Sequence, residues 1–152
     1  MTTTFADYAA QQEARKNIEL AVLGHTFALC EALRQNYLEY AIRGHKRSLE
    51  RLEGNTDTGI SYHKSCIEKL KQGISPVDFI VDSGRKYHKI IFVDGGGQRS
   101  SHAFVDKKTG EVYKSASFKG PAKGVRYDLR LIEQREWLLK NADWSGSYLY
   151  AR

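Results

Sequence analysis

The sequence predicts an α+β fold: an N-terminal helical hairpin followed by an antiparallel four-stranded β-meander and a C-terminal helix. Three observations carry the prediction. Residues 5–53 hold no proline and are rich in Ala, Leu, Glu, Gln, Arg and Lys, which are good helix formers. After Ser75-Pro76 the spacing of apolar residues changes from about 3.6 to 2, the signature of strands. Glycine-bearing turns at 83–84, 94–98 and 107–110 then punctuate the chain at short intervals. The division falls into a helical region, 1–75, and a β-meander plus helix, 76–152, as one domain or two small units sharing a core.

Within the first region Ile18, Ala21, Val22, His25, Leu29, Ala32, Leu33, Asn36, Tyr37, Tyr40 and Ala41 recur at three- and four-residue steps, an amphipathic stripe. Leu20, Leu23, Phe27, Cys30, Leu38 and Ile42 widen it, so the helix is expected to pack on more than one neighbour. Gly24 and Gly44 each cost about 1 kcal/mol relative to Ala in a helix, which leaves one long helix and two shorter ones both open. The cluster GNTDTG (54–59) reads as a turn. A shorter helix fits 60–72, with Ile60, His63, Ile67 and Leu70 on one side, and closes the hairpin. The sheet or a second copy of the chain would cover its apolar face.

The expected strands are VDFIVD (77–82), KYHKIIFV (86–93), SSHAFVD (100–106) and EVYKSASF (111–118). DGGGQ (94–98) supplies a turn that needs glycine's access to positive φ, and KKTG (107–110) a type I turn with Gly at the bulge position. KGPAKG (119–124) breaks regular structure. A helix is expected from Asp128, a good N-cap, through RLIEQREWLLKNA. Trp144, Tyr148 and Tyr150 suit a tail that docks onto the body.

The chain has 152 residues and a formal charge of +6. Residues 1–73 are nearly balanced, with ten basic and nine acidic side chains; 74–152 hold fourteen and nine. Within 85–126 ten basic residues face only Asp94, Asp106 and Glu111. The surplus positive charge thus belongs to the meander and favours a polyanionic partner. No apolar run is long enough for a membrane span, and the first residues lack a secretory pattern, so no membrane partner is expected. Cys30 and Cys66 match no metal spacing and read as reduced, buried thiols.

No catalytic signature stands. Gly95-Gly96-Gly97 precedes a strand, whereas a phosphate loop leads into a helix. Asp94 with Asp106-Lys107-Lys108 resembles a metal-nuclease pattern, but Asp106 opens a tight turn and a lone D-x-K is common by chance. His25 and His63 suit helix interfaces. His88 and His102 lie on neighbouring strands and could share a face, most simply as surface residues. Catalytic residues, metal ligands and cofactors are accordingly assigned none.

The alternation of aromatic and basic residues is the strongest functional signal. Cations that follow phosphates and rings that stack on bases hold single-stranded nucleic acid, at about 1–3 kcal/mol per stacked base. Lys86, Lys89, Arg99, Lys114, Lys119, Lys123 and Arg126 are the expected phosphate contacts, with Tyr87, Tyr113 and Phe118 the stacking rings.

The block GRKYHKIIFVDGGGQRSSHAFVDKKTGEVYKSASFKGPAKGVRYDL, with the later ADWSGSYLY, resembles a family of small proteins encoded by tailed bacteriophages. A GRKY-type strand, a Gly/Arg/Ser turn, HAFVD-x-x-TG-[DE]-VYK and AS[FW]K-x-PAK-x-VRY recur in order there, and the likeness spans roughly residues 84–150. The resemblance implies a viral protein acting in the host bacterial cytoplasm or assembled in the virion, and carries no catalytic residue across. The expected function is therefore a non-enzymatic phage protein that binds nucleic acid, single-stranded by preference, and dimerises through its N-terminal helices. The alternative is a protein-interaction module that binds a host enzyme or assembles in the virion.

Overall fold

A computed structural model describes residues 4–53 and 59–150. Helices α1 (Phe5–Arg51) and α2 (Ile60–Lys71) precede five strands: β1 (Asp78–Ser83), β2 (Tyr87–Val93), β3 (Arg99–Asp106), β4 (Glu111–Lys114) and β5 (Tyr127–Asp128). Helix α3 (Ile132–Asn141) and a 3-10 turn at Ser147–Leu149 complete the chain. The strands form one antiparallel sheet in the order β1-β2-β3-β4-β5. The fold is α+β, with two corrections to the expected architecture.

The first concerns the N-terminus, where a single 47-residue helix stands in place of the expected helical hairpin. The Thr4 hydroxyl accepts the Asp7 amide at 3.1 Å to start it, and the Asp7 charge suits the positive end of the helix dipole. Gly24 and Gly44 lie inside α1 without ending it. A glycine costs about 1 kcal/mol, whereas each fully buried aliphatic side chain contributes about 1.5–3 kcal/mol. Val22, Leu29 and Leu33, on both sides of Gly24, are completely buried, so packing outweighs the local penalty. The short α2 folds back on the last turns of α1. Ile67 and Leu70 are buried there, and His45 and His63 join the helices with their Nδ1 atoms 2.8 Å apart. Residues 54–58 of the expected turn cluster lie outside the described residues.

The second correction adds a strand. Expected strand 111–118 ends at Lys114, after which Ser115 makes only an isolated bridge to Pro121; a proline lacks the N–H that would extend the ladder. The sheet is instead completed by β5, where Glu111 pairs with Asp128 and Val112 with Tyr127. Asp128 is therefore a strand residue and not the helix N-cap. Helix α3 begins at Ile132, with Leu131 in the cap position and no capping side chain. Ladder-like bonds from the Arg126 and Leu129 amides to the carbonyls of Val112 and Gly110, with complete burial of Leu129, hold this segment extended past the expected start.

One face of the sheet builds the core. Phe79, Ile90, Ala103, Val105 and Val112 pack against Val22, Leu29 and Leu33 of α1, Leu138 of α3, and Tyr148 and Leu149 of the tail. Arg34 fastens α1 to the edge strand through the Asp78 carboxylate and the Phe79 carbonyl. Trp144 and Tyr148 dock as expected, while Tyr150 stays exposed. The pairing of β2 with β3 slips by one residue, with Ile90 opposite Ala103 and Ile91 opposite Ser101. His102 is the extra residue of this bulge, and a bulge re-aims side chains. Its ring accordingly meets Phe79 and Tyr148 of the core side.

Candidate nucleic-acid interface

Strand alternation sends the partners of the core residues to the opposite, outward face. The register places Lys89, Phe104 and Tyr113 side by side across β2, β3 and β4, with Asp82 of β1 at the end of the same row. Tyr87, opposite Asp106, forms the next row. The rings touch edge-on, with centroids 5.7 Å apart for Tyr87–Phe104 and 6.0 Å for Tyr87–Tyr113. Phe118 reaches this face from the 115–126 loop: the Lys89 ammonium sits 3.9 Å from its ring centre and 5.7 Å from that of Phe104. Lys86 lies 5.3 Å from the Tyr87 ring centre. Each such contact is worth about 0.5–1 kcal/mol at an exposed site. The face therefore holds two ammonium groups and four rings in one patch. Phe104 and Ile91 are buried beneath it, while Phe118 is half exposed.

The other expected phosphate contacts are dispersed. Arg99 starts β3 at the end of the sheet where the glycine turn lies. Lys119 and Lys123 are exposed on the 115–126 loop. Lys114 pairs with core residue Ala103, and its ammonium lies 4.9 Å from the Tyr150 ring centre, away from the Lys89 row. Arg126 is committed to structure: its guanidinium donates to the carbonyls of Leu149, Lys123 and Gly124 at 2.7–3.0 Å. Of the ten expected residues, Lys86, Tyr87, Lys89, Tyr113 and Phe118 form the patch.

The rejected chemical motifs resolve into turn and core chemistry. Asp94 closes the β2–β3 turn by accepting the Gly96 and Gln98 amides, and Asp106 closes the β3–β4 turn by accepting those of Lys108 and Thr109. They stand at opposite ends of the β2–β3 ladder, roughly 20 Å apart at the usual strand rise. His88 and His102 both face the core, but separately: His88 Nδ1 meets the Ser83 hydroxyl at 2.7 Å, and His102 Nε2 the Tyr148 hydroxyl at 2.7 Å. Burial lowers both imidazole pKa values, that of His102 to about 4. His25 bonds Arg135 of α3 and His63 bonds His45, so both are helix-interface residues. Cys30 is buried and its thiol pushed up to about 12 by burial; Cys66 is half-buried. Among the described residues no group of three or more His, Cys, Asp or Glu could hold a metal ion, and no helix is long and apolar enough to cross a membrane.

Fold and patch together define a class: a small α+β protein whose antiparallel sheet packs one face against helices and carries an aromatic and basic patch on the other. The particular family follows from its sequence. Residues 5–151 match a family of unknown function, DUF7717, and the chain belongs to it. No curated protein and no solved structure matches the chain.

Proposed function

We propose that this protein is a phage accessory protein that binds nucleic acid, preferably single-stranded, on the outward face of its sheet, without catalysing a reaction. The observation that carries the reading is the patch around Lys89, where two ammonium groups and the rings of Tyr87, Phe104, Tyr113 and Phe118 share the face opposite the helices. Unpaired bases present ring faces that can stack on Phe118 and Tyr87, while phosphates meet Lys86 and Lys89. Exposed Arg99, Lys119 and Lys123 add long-range attraction. Fluorescence anisotropy with a labelled single-stranded oligonucleotide at low and high salt tests it. Binding should weaken steeply with salt, prefer single strand over duplex, and fall about tenfold in Phe118→Ala, in line with the loss of one stacked base. Affinity weaker than about 10⁻⁴ M at low salt, below ordinary non-specific binding, overturns the proposal.

A second reading, an interaction module working in the host cytoplasm or the virion, rests on the exposed apolar side chains of α1. Phe5 is 84% exposed, Leu20 67% and Phe27 53%. Isolated apolar residues on a surface are ordinary, but several along one projecting helix suit a protein partner or a second copy. Sedimentation tests the homodimer, and capture from nuclease-treated host lysate tests a host protein. A monomer that captures nothing rules this reading out.

A further inference from the structure

At the bulged end of the sheet, away from the Lys89 patch, the docked tail leaves a cleft of about 270 Å³ against β3 and β4. Its walls include Phe92, Trp144, Ser100, Ser101, Lys114 and Ser115. Lys114 is the one charged lining residue among the described residues. Its ammonium makes one long bond to the Ser115 carbonyl at 3.4 Å and otherwise lies against the Tyr150 ring, so N–H donors are left over. The hydroxyls of Ser101 and Ser115 are 2.6 Å apart. Each has a single proton, so whichever donates within the pair, the other keeps a free O–H for a third partner. Asp143 is not among the lining residues; its charged oxygens accept the Ser145 amide, the Ser145 hydroxyl and the Ser147 hydroxyl. His102, which also lines the cleft, is neutral near pH 7 and bonded to Tyr148. A cleft with one ammonium, one spare hydroxyl proton and no carboxylate among its lining residues suits an anion. Trp144, held in place by Tyr37, Tyr40 and Phe92, lines the cleft as a fixed ring for the flat part of the same ligand to lie against. At 270 Å³ it falls just below the ~300–1,000 Å³ of ordinary ligand pockets, room for one nucleotide unit and not for a strand.

We propose that this cleft binds the phosphomonoester of a single nucleotide, with Lys114 as counter-charge, the Ser101–Ser115 pair supplying one hydroxyl donor and Trp144 against the base. The source of that phosphate is either a free mononucleotide or the 5′ end of a strand. The strand-end form rests on the nucleic-acid reading above; the free-nucleotide form does not.

Titration calorimetry with three probes separates these outcomes: a short oligodeoxythymidylate with a 5′-phosphate, the same oligonucleotide with a 5′-hydroxyl, and thymidine 5′-monophosphate. The strand-end form predicts that the 5′-phosphate tightens oligonucleotide binding by about tenfold, the scale of one hydrogen bond to a charged group. Lys114→Gln should erase that difference, with thermal melting confirming the fold. Mononucleotide binding that is lost in Lys114→Gln, with neither oligonucleotide bound, supports the cleft and overturns the sheet-face reading. Equal binding of both oligonucleotides, unchanged in Lys114→Gln and without mononucleotide binding, overturns the cleft proposal and leaves the sheet face standing. Binding of none of the probes overturns both.

Discussion

His102 illustrates how one residue's setting becomes a property of the protein. The bulge turns its ring into the core side, where burial holds its pKa near 4 against an ordinary 6.5, only slightly offset by Asp143. Between pH 6.5 and 4 the unfolded chain binds a proton that the folded chain refuses, so stability rises with pH across that window. The contribution is constant above about pH 6.5, and below about pH 4 the full cost, roughly 3 kcal/mol, is reached. Burial lowers the pKa of His25, His45 and His88 too, which adds in the same direction. Urea unfolding at pH 7 and pH 4.5 should show marked acid destabilisation, and His102→Gln should reduce it; an unchanged pH slope in the variant would refute this assignment. Gly110 gives a second prediction at this scale. Its φ is +75°, and a Cβ there would lie 2.9 Å from Arg130 Cγ and 3.4 Å from the Arg130 backbone nitrogen. Gly110→Ala should lose about 1–3 kcal/mol in urea unfolding, the usual cost of a left-handed non-glycine residue. The glycine was legible from the KKTG pattern. The bulge was not, because no local residue preference marks which position in SSHAFVD is the unpaired one.

At the scale of elements, α1 is the member on which propensity and packing disagree. Gly24 is exposed, and an added Cβ would meet nothing within 4 Å. Gly24→Ala should therefore stabilise the protein by about 1 kcal/mol and raise Tm by about 2–4 °C, read by calorimetry. A fall in Tm would mean that glycine is required for a bend. The helix also differs along its length. Most residues from Phe5 to Asn17 are exposed, whereas the middle carries the buried Val22, Thr26, Leu29, Cys30 and Leu33. Hydrogen exchange should be fast over the first three turns and slow from Val22 to Leu33, since protection follows burial. Equal protection along α1 would indicate a partner on the first turns and favour the interaction reading. The exposed stretch was part of the amphipathic pattern, but a stripe predicts an apolar side without saying what lies against it. The ending of β4 and the addition of β5 were illegible for a related reason: two residues, Tyr127 and Asp128, form a strand only because Val112 and Glu111 are opposite.

For the molecule as a whole, the covering of one sheet face decides where function can reside. Helices α1 and α3 and the tail occupy the inner face, which leaves the charge surplus of residues 85–126 on the outer face, the loops and the sheet ends. That surplus does not form one continuous track. Lys86 and Lys89 join the aromatic patch, Arg99 and Lys114 belong to other parts of the sheet, and Arg126 braces the tail against the 123–126 turn. Lys89→Gln should weaken single-strand binding and make it less dependent on salt, by about one phosphate contact in a log–log plot. Arg126→Gln should instead lower the melting temperature, because it strips hydrogen bonds from three carbonyls. If Arg126→Gln were as stable as the parent chain, its guanidinium would be free for a ligand after all.

The sequence by itself determined the α+β class, the change from helix to strand at Ser75-Pro76, the glycine turns and the concentration of positive charge in the meander. These depend on backbone preferences and on spacings of a few residues, which a single stretch of chain contains. Only the tertiary structure decided that α1 continues through Gly24, that Asp128 pairs in a strand, that His102 faces the core and that five of ten expected contacts share a patch. Those outcomes depend on burial and pairing between segments remote in sequence, and their energies exist only once the partners meet.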